Sequence, residues 1–471
     1  MGREQQTDYL VIGAGASGLA LVDTLVSAAD VDVVVVDRRE APGGHWVDAY
    51  PFVRLHQPSA YYGVNSLPLG EDRRDTEGIN AGFYERASAA ELVRYYEQAM
   101  DLLVAGGRVT FLPCSEYVGR DGDDHVVRSL VTGEQTRILT RRRLVDAAYV
   151  ESEIPATRPP AYAVDEGVRL VTPNQLARLD APASAFVLVG AGKTAMDTGY
   201  WLLEQGVDPG AICWLRPRDG WMVNRRYTQP FEQVAGMAEM QSRTVEACVD
   251  AETGADVVAH LEAHGMMTRI DPAAPTTIYR GATISEPELD ALRTIENVVR
   301  LGRVKRIASD RIHMDEGTVA TAPGTVHVDC TAEGLSTAPR LPIFDGDRLT
   351  VQFTTLGVAP WSAAVLGFVE SLDVDDEERN RLCPSIGRTG LVDELLGLYL
   401  RGFTGEGARQ MSPEIAGWAS TARLNPGRTM AQHMDDPAVQ ESMGRMFENL
   451  EPAMANLEAR TADPVDAPAP R

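Results

Sequence analysis

The chain has 471 residues and a hydrophobic share of 44%, which fits about two or three globular domains. Its formal net charge of −24 argues against phosphate-rich polymers such as nucleic acids as partners, while small anionic cofactors remain open because local N–H groups and a few arginines decide those sites. No segment approaches the roughly 18 consecutive apolar residues of a membrane span, and the opening MGREQQTD carries no secretory pattern, so no membrane partner and a cytoplasmic location are expected.

The first predicted element is an apolar strand over residues 9–12. It runs into Gly13-Ala14-Gly15-Ala16-Ser17-Gly18, a G-x-G-x-x-G turn. An amphipathic helix follows over 19–28, then a second apolar strand over 31–36 that ends in Asp37. Gly13 permits the tight turn, Gly15 lets backbone approach a pyrophosphate, and Gly18 lets helix pack on strand. The helix start, with Ala16 and Ser17, offers unpaired N–H groups to phosphates. Asp37 stands 24 residues after Gly13 (37 minus 13), where an acid can accept hydrogen bonds from ribose hydroxyls, and Arg38 adjoins it. Strand, glycines, helix, strand and acid in this order predict a nucleotide-binding βαβ unit.

Residues 38–66 are too long and too rich in Gly, Pro and aromatics for a simple connector, which marks a functional loop. A helix is predicted over 87–105, a strand over 108–112, β runs at 126–130 and 136–139, and a strand over 143–148. The proline-rich stretch 152–162 reads as a domain crossing.

The opening pattern then returns. A strand from Phe186 meets Gly190-Ala191-Gly192-Lys193-Thr194-Ala195, a helix runs to Glu204, and a strand over 211–215 ends at Arg216. This second copy lies 177 residues after the first (190 minus 13). Ala195 replaces the third glycine, which close packing tolerates. The endings differ: an acid suits a free 2′-hydroxyl, whereas a guanidinium suits the 2′-phosphate of NADP. The first site is therefore expected to hold FAD or NAD and the second NADP, with Arg216 on the phosphate. Arg218, Arg225 and Arg226 are close enough in sequence to share that role. Lys193 is placed either to meet a pyrophosphate or to face solvent.

Residues 231–295 read as mostly helical. Short strands are predicted at 297–301, 304–308, 326–331 and 349–353, and helices at 361–372, 391–403, 413–422 and 437–457. The last residues, TADPVDAPAPR, read as a disordered tail. His260 and His264 share a helix face, but no Glu follows His260 as H-E-x-x-H requires, so no metal site is expected. The five cysteines form no C-x-x-C and no pair for a disulfide relay.

With Gly43, Gly44, His45 and Trp46 following Asp37, the chain resembles the flavin-containing, Baeyer–Villiger-type and N-hydroxylating (class B) monooxygenases, which carry a GG-x-W element soon after the FAD-binding acid. The resemblance covers roughly residues 8–66, 142–216 and 326–354. It departs at the F-x-G-x-x-x-H element of those proteins, which is not recognisable in 145–163, so an outlying branch is expected. The fold class it implies is α/β: an FAD-binding Rossmann-like domain (1–152 and 326–460), an inserted NADPH-binding Rossmann-like domain with a helical insertion (153–325), and a tail (461–471). It further implies that NADPH reduces FAD, that reduced flavin and O2 give a C4a-(hydro)peroxyflavin, and that this species oxygenates a small molecule. His45, His56 and Gln57 become candidates near the flavin, and Arg225 a fixed cation for a developing negative charge. The apolar positions of the C-terminal helices suit a core or a homo-oligomer contact. Two other functions fit the same turns: a flavin reductase serving a quinone or protein acceptor, and a nucleotide-binding sensor without turnover.

Overall fold

β1 (Arg3–Ile12) buries Tyr9, Leu10 and Val11 completely and lies at the centre of the first sheet. It leads through the glycine turn into α1 (Ala16–Ala28) and back to β2 (Val33–Val36), its parallel neighbour. The capping box of Ser88 and Glu91 starts α2 (Ala89–Ala105), which feeds β3 (Val109–Leu112). The hairpin of β4 (Ser115–Asp121) and β5 (Asp124–Ser129) then pairs with β6 (Gln135–Asp146). Where the sequence suggests two strands, β6 is one of 12 residues. Its first half closes the hairpin and its second half runs parallel to β1, with a register shift between Thr7 and Tyr9. This computed structural model describes residues 3–332, 334–335, 338–355, 357–387 and 390–461.

The crossing segment holds three two-residue strands, β7 (Ser152–Glu153), β8 (Ala163–Val164) and β9 (Leu170–Val171), and the short α3 (Pro173–Leu176). β10 (Ala185–Val189), α4 (Lys193–Glu204) and β11 (Ile212–Leu215) form the second βαβ unit. Beyond it the expected mostly helical region differs from the structure. β12 (Asp219–Asn224) precedes α5 (Ala235–Asp250) and α6 (Gly254–Ala263), and then β13 (Met267–Thr268) and β14 (Thr276–Ile284) flank β12 in a three-stranded sheet before α7 (Glu286–Arg293). The β-branched run of β14 finds its partner more than 50 residues upstream, beyond the reach of a local pattern. β15 (Val298–Val299) joins the second Rossmann sheet, and β16 (Val304–Ile307), β17 (Arg311–Met314) and β18 (Gly317–Ala320) form a meander beside it. β19 (Thr325–Asp329) completes the parallel sheet, in the order β15-β11-β10-β19-β9. Residues 325–329 therefore belong to the second sheet, and the return to the first comes after them.

β20 (Gly334–Leu335) pairs with β7, while β21 (Phe344–Asp345) and β22 (Arg348–Thr350) extend the first sheet beside β6. α8 (Ala359–Glu370) packs on α1 so closely that a Cβ on Gly367 would lie 2.5 Å from the Leu21 carbonyl oxygen. Buried Glu370 ties this helix to the sheet, accepting from the Tyr9 hydroxyl at 2.9 Å and from Arg143 Nε at 3.0 Å. α9 (Asp376–Leu382), α10 (Leu395–Gln410), α11 (Pro413–Thr421), α12 (Pro426–Gln432) and α13 (Pro437–Arg460) follow. α10 and α13 share one apolar core with α5 and α6, so the C-terminal helices and the helical insertion close on each other. Among the described residues no helix is long and apolar enough to cross a membrane. Apart from Thr461, the expected tail lies outside the described residues.

Candidate active site

The two glycine turns are built alike. α1 starts on Gly15 and α4 on Gly192, and neither has a side-chain cap, whereas α2 and α7 are capped by Ser88 and Ser285. Both glycine turns thus present first-turn N–H groups, Ala16, Ser17 and Gly18 in one and Lys193 and Thr194 in the other, with no side-chain cap of their own, while the Ala195 amide donates to the Gly192 carbonyl at 3.0 Å. Gly13 and Gly190 adopt φ of 101° and 125°, the left-handed region that a side chain resists. Asp37 is buried, and its carboxylate accepts from the Ala14 amide at 2.7 Å and the Arg39 amide at 2.9 Å. A carboxylate has about four acceptor sites, so capacity for ribose hydroxyls remains. Arg38 is exposed; Arg39 is the residue that turns inward, donating from Nε to Asp48 at 2.7 Å.

The loop after Asp37 touches both units. Gly43 donates its amide to the Ala14 carbonyl at 2.8 Å, and Gly44, at φ 61°, packs backbone to backbone on Gly15. A Cβ on Gly44 would stand 3.0 Å from the Gly15 Cα, which is why this position needs glycine. Trp46 is buried and donates to the Tyr62 hydroxyl at 2.9 Å, while burial and the Arg39 charge lower the His45 pKa to about 4. Further along, the Tyr50 hydroxyl donates to Asp197 on α4 at 2.8 Å, and Phe52 stacks on Trp201 with ring centroids 4.8 Å apart.

Two cations predicted at the second turn are engaged elsewhere. Arg216 is 4% exposed, pairs with Asp219 and lies over the Trp214 ring at 4.9 Å, so it is not presented to a 2′-phosphate. Arg300 donates to the same Asp219 at 2.8 Å. Arg218, three residues beyond β11, is exposed and makes no ion pair among the described residues. The Lys193 ammonium reaches neither solvent nor the mouth of the turn: it pairs with Asp197 and donates to Glu288 at 2.6 Å.

Glu288 is the junction of the seam. It is 1% exposed and also accepts from Arg225 Nη2 at 2.7 Å. Arg225 is fully buried, and its Nε faces the Thr283 hydroxyl at 3.4 Å. That hydroxyl in turn donates to the His56 carbonyl. Burial, with the Lys193 and Arg86 charges, holds His56 well below its ordinary pKa, so its ring is neutral at pH 7. Arg225 and His56 therefore meet in one place. Gln57 turns away and donates to the Tyr61 carbonyl at 3.2 Å. Tyr50, Arg86, Asp197 and Glu288 complete the seam, and none carries a motif that singles it out in the sequence.

A family profile described as the NAD(P)-binding Rossmann-like domain matches residues 11–67. A Mycobacterium tuberculosis protein named Uncharacterized protein Rv2000 is 40% identical over 447 residues, which is 94% of this chain and 82% of that protein. The chain belongs to the Rv2000 family. Uncharacterized protein Mb2023 of Mycobacterium bovis matches to the same extent, at 40% over 447 residues. Among solved structures, a steroid monooxygenase bound to NADP superposes with a TM-score of 0.51 at 13% identity, over 78% of this chain and 85% of that one. The polycyclic ketone monooxygenase of Thermothelomyces thermophila gives 0.50 at 12% identity, over 95% and 90%. The Rv2000 family member described here thus has the class B flavoprotein monooxygenase fold, as the sequence resemblance implies. In this Rv2000 relative Lys193 of the second glycine turn and Arg225 meet on Glu288, and Tyr50 of the loop from the first turn reaches Asp197, the other partner of Lys193.

Proposed function

We propose that the chain is an FAD-dependent, NADPH-consuming monooxygenase that places one oxygen atom of O2 on a small organic molecule. The observation that carries this reading is the loop that joins both glycine-turn units, through Gly43 and Gly44 on the first turn and Tyr50 and Phe52 on α4 after the second. The first turn fits FAD: Gly13, Gly15, Ala16, Ser17 and Gly18 present the helix N-terminus, Asp37 keeps acceptor capacity, and Gly44, His45 and Trp46 border it. Gly190, Gly192, Thr194 and Ala195 fit NADPH. The FAD unit then comprises 1–152 and the chain after β19, with the NADPH unit between them. A flavin bound there supplies hydride acceptance and reaction with O2. The chain's residues position the partners and exclude water. Arg225, fixed by Glu288, favours negative charge that develops beside it, and the neutral His56 ring offers a hydrogen bond without adding charge.

A thiol relay is disfavoured by the cysteines, which are widely spaced and form no C-x-x-C. Burial pushes the Cys248, Cys330 and Cys383 thiols up to about 12, far from a reactive thiolate at neutral pH.

The purified full chain is expected to show flavin absorbance and to consume O2 with NADPH. Flavin that NADPH bleaches and air does not restore would point to a reductase instead, and failure to take up FAD would remove both readings. Arg218, exposed beyond β11, is a better candidate for the NADPH 2′-phosphate than the paired Arg216. Arg218→Ala should raise the KM for NADPH by about tenfold, the worth of one charge-assisted contact, and leave that for NADH unchanged. Arg216→Ala should act on stability, since its partner is Asp219. Equal effects of Arg218→Ala on the two nucleotides would sink this assignment.

A further inference from the structure

The seam is out of charge balance among the described residues. Arg86, Lys193 and Arg225 bring three cations, all at most 9% exposed, and Glu288 and Asp197 bring two carboxylates. Lys193 and Arg225 share Glu288, and Lys193 also holds Asp197. Arg86 is left over. It is 6% exposed, forms no ion pair among the described residues, and makes one bond, from Nη1 to the Leu55 carbonyl at 3.1 Å. Its Nε is buried without any partner. Burial and the neighbouring Arg225 charge lower its pKa to about 10, so it remains a cation at pH 7. A buried charge without a partner is costly, and the Nε–Nη2 edge of a guanidinium is a fork that fits a carboxylate.

We propose that the Nε edge of Arg86, with the Arg225 charge nearby, binds the carboxylate of the substrate, so that the molecule oxygenated is a small carboxylic acid. This rests on the monooxygenase reading above. Charge agrees: a carboxylate brings one negative charge to the leftover Arg86 cation. Position agrees. Arg86 holds the Leu55 carbonyl of the loop from the first turn, and its cation neighbour Arg225 shares Glu288 with Lys193, which opens the second, so an acid held here lies between the two proposed dinucleotide sites.

The test uses the full-length holoprotein with two matched pairs of probes, hexanoate with hexanamide and phenylacetate with phenylacetamide. The readout is the rise in Tm against probe concentration. The acids should raise Tm at concentrations where the amides do not. Arg86→Gln should require at least about tenfold more acid for the same rise, the worth of one hydrogen bond to a charged group. Arg86→Lys, which keeps the charge and loses the fork, should weaken the response to a lesser degree and covers the case in which the glutamine variant does not fold. Equal responses to acid and amide, or an acid response unchanged in the folded variants, would overturn the proposal. So would an Arg86-dependent response to inorganic pyrophosphate without one to the acids, which would give the site to a cofactor phosphate. NADPH-dependent O2 uptake is measured separately, so loss of the monooxygenase reading appears there while the Tm series still reports on the anion site.

Discussion

Glu288→Gln is expected to cost about 3–5 kcal/mol of folding stability, the scale seen when one partner of a buried ion pair is removed. Glu288 accepts from Lys193 at 2.6 Å and from Arg225 at 2.7 Å while being 1% exposed. The amide would keep the shape of the carboxylate, but it would leave both cations facing each other and Arg86 in a buried seam with only Asp197 to answer them. The pH dependence follows. Burial alone would raise the Glu288 pKa, but the Lys193 and Arg225 charges and hydrogen bonds outweigh it and hold the group at about 2, against an ordinary 4.5. A folded-state pKa below the unfolded one means that the stabilisation is complete above about pH 4.5 and is lost as pH falls towards about 2. Denaturant unfolding of the wild type should weaken across that window by an increment absent from Glu288→Gln. Adding Arg86→Gln to Glu288→Gln should recover part of the loss, because it removes one of the stranded cations. Strict additivity of the two changes would show that Arg86 and Glu288 do not share a field.

The expected and observed sites differ in a consistent way. The turns were legible because each glycine answers a local requirement: a positive φ at Gly13 and Gly190, a close helix at Gly18. Asp37 was legible because a strand end after a βαβ unit has a fixed place. Arg216 occupies the matching strand end, but its role depends on Asp219 three residues later and on whether that chain folds back, which spacing does not tell. Lys193, with its backbone at the turn, was open between a pyrophosphate and solvent, yet a four-carbon stem takes its charge to Glu288 on another helix. Glu288 itself sits in Ser285-x-x-Glu288, which reads as an ordinary helix start. Its amide does meet the Ser285 hydroxyl at 3.4 Å while the carboxylate goes elsewhere. Arg86 stands in a loop with no period at all. The parallel sheets could be anticipated from apolar runs, whereas β12, β13 and β14 are defined by pairing across two intervening helices. Local chemistry was readable; the long-range ion pairs on Glu288, and the Tyr50–Asp197 and Thr283–His56 hydrogen bonds that join the two units, were not.

The contrast between Gly18 and Ala195 gives the second large effect. In an ordinary glycine turn the third position accepts alanine, and Ala195 shows this in the second unit, where it is fully buried. At Gly18 a Cβ would stand 2.1 Å from the Gly13 carbonyl oxygen and 3.3 Å from the Ala147 Cβ. The obstacle is backbone and cannot rotate aside: Gly13 is anchored through its amide to the Val36 carbonyl at 2.8 Å and holds φ at 101°. In the second unit the corresponding carbonyl, that of Gly190, accepts from the Trp214 indole at 2.8 Å. Gly18→Ala must therefore push α1 away from β1 or distort the turn, at a cost of about 3 kcal/mol or more. Because the turn is the proposed FAD phosphate site, the variant should purify with little flavin and a lowered Tm. Ala195→Gly, by comparison, loses one buried methyl and some helix propensity, about 1–2 kcal/mol, and should retain FAD. The decisive measurement is the ratio of flavin to protein in the two variants prepared side by side. A Gly18→Ala protein with wild-type flavin content and Tm would show that the first turn is more open than its packing implies, and that the difference between the two glycine turns carries no functional meaning.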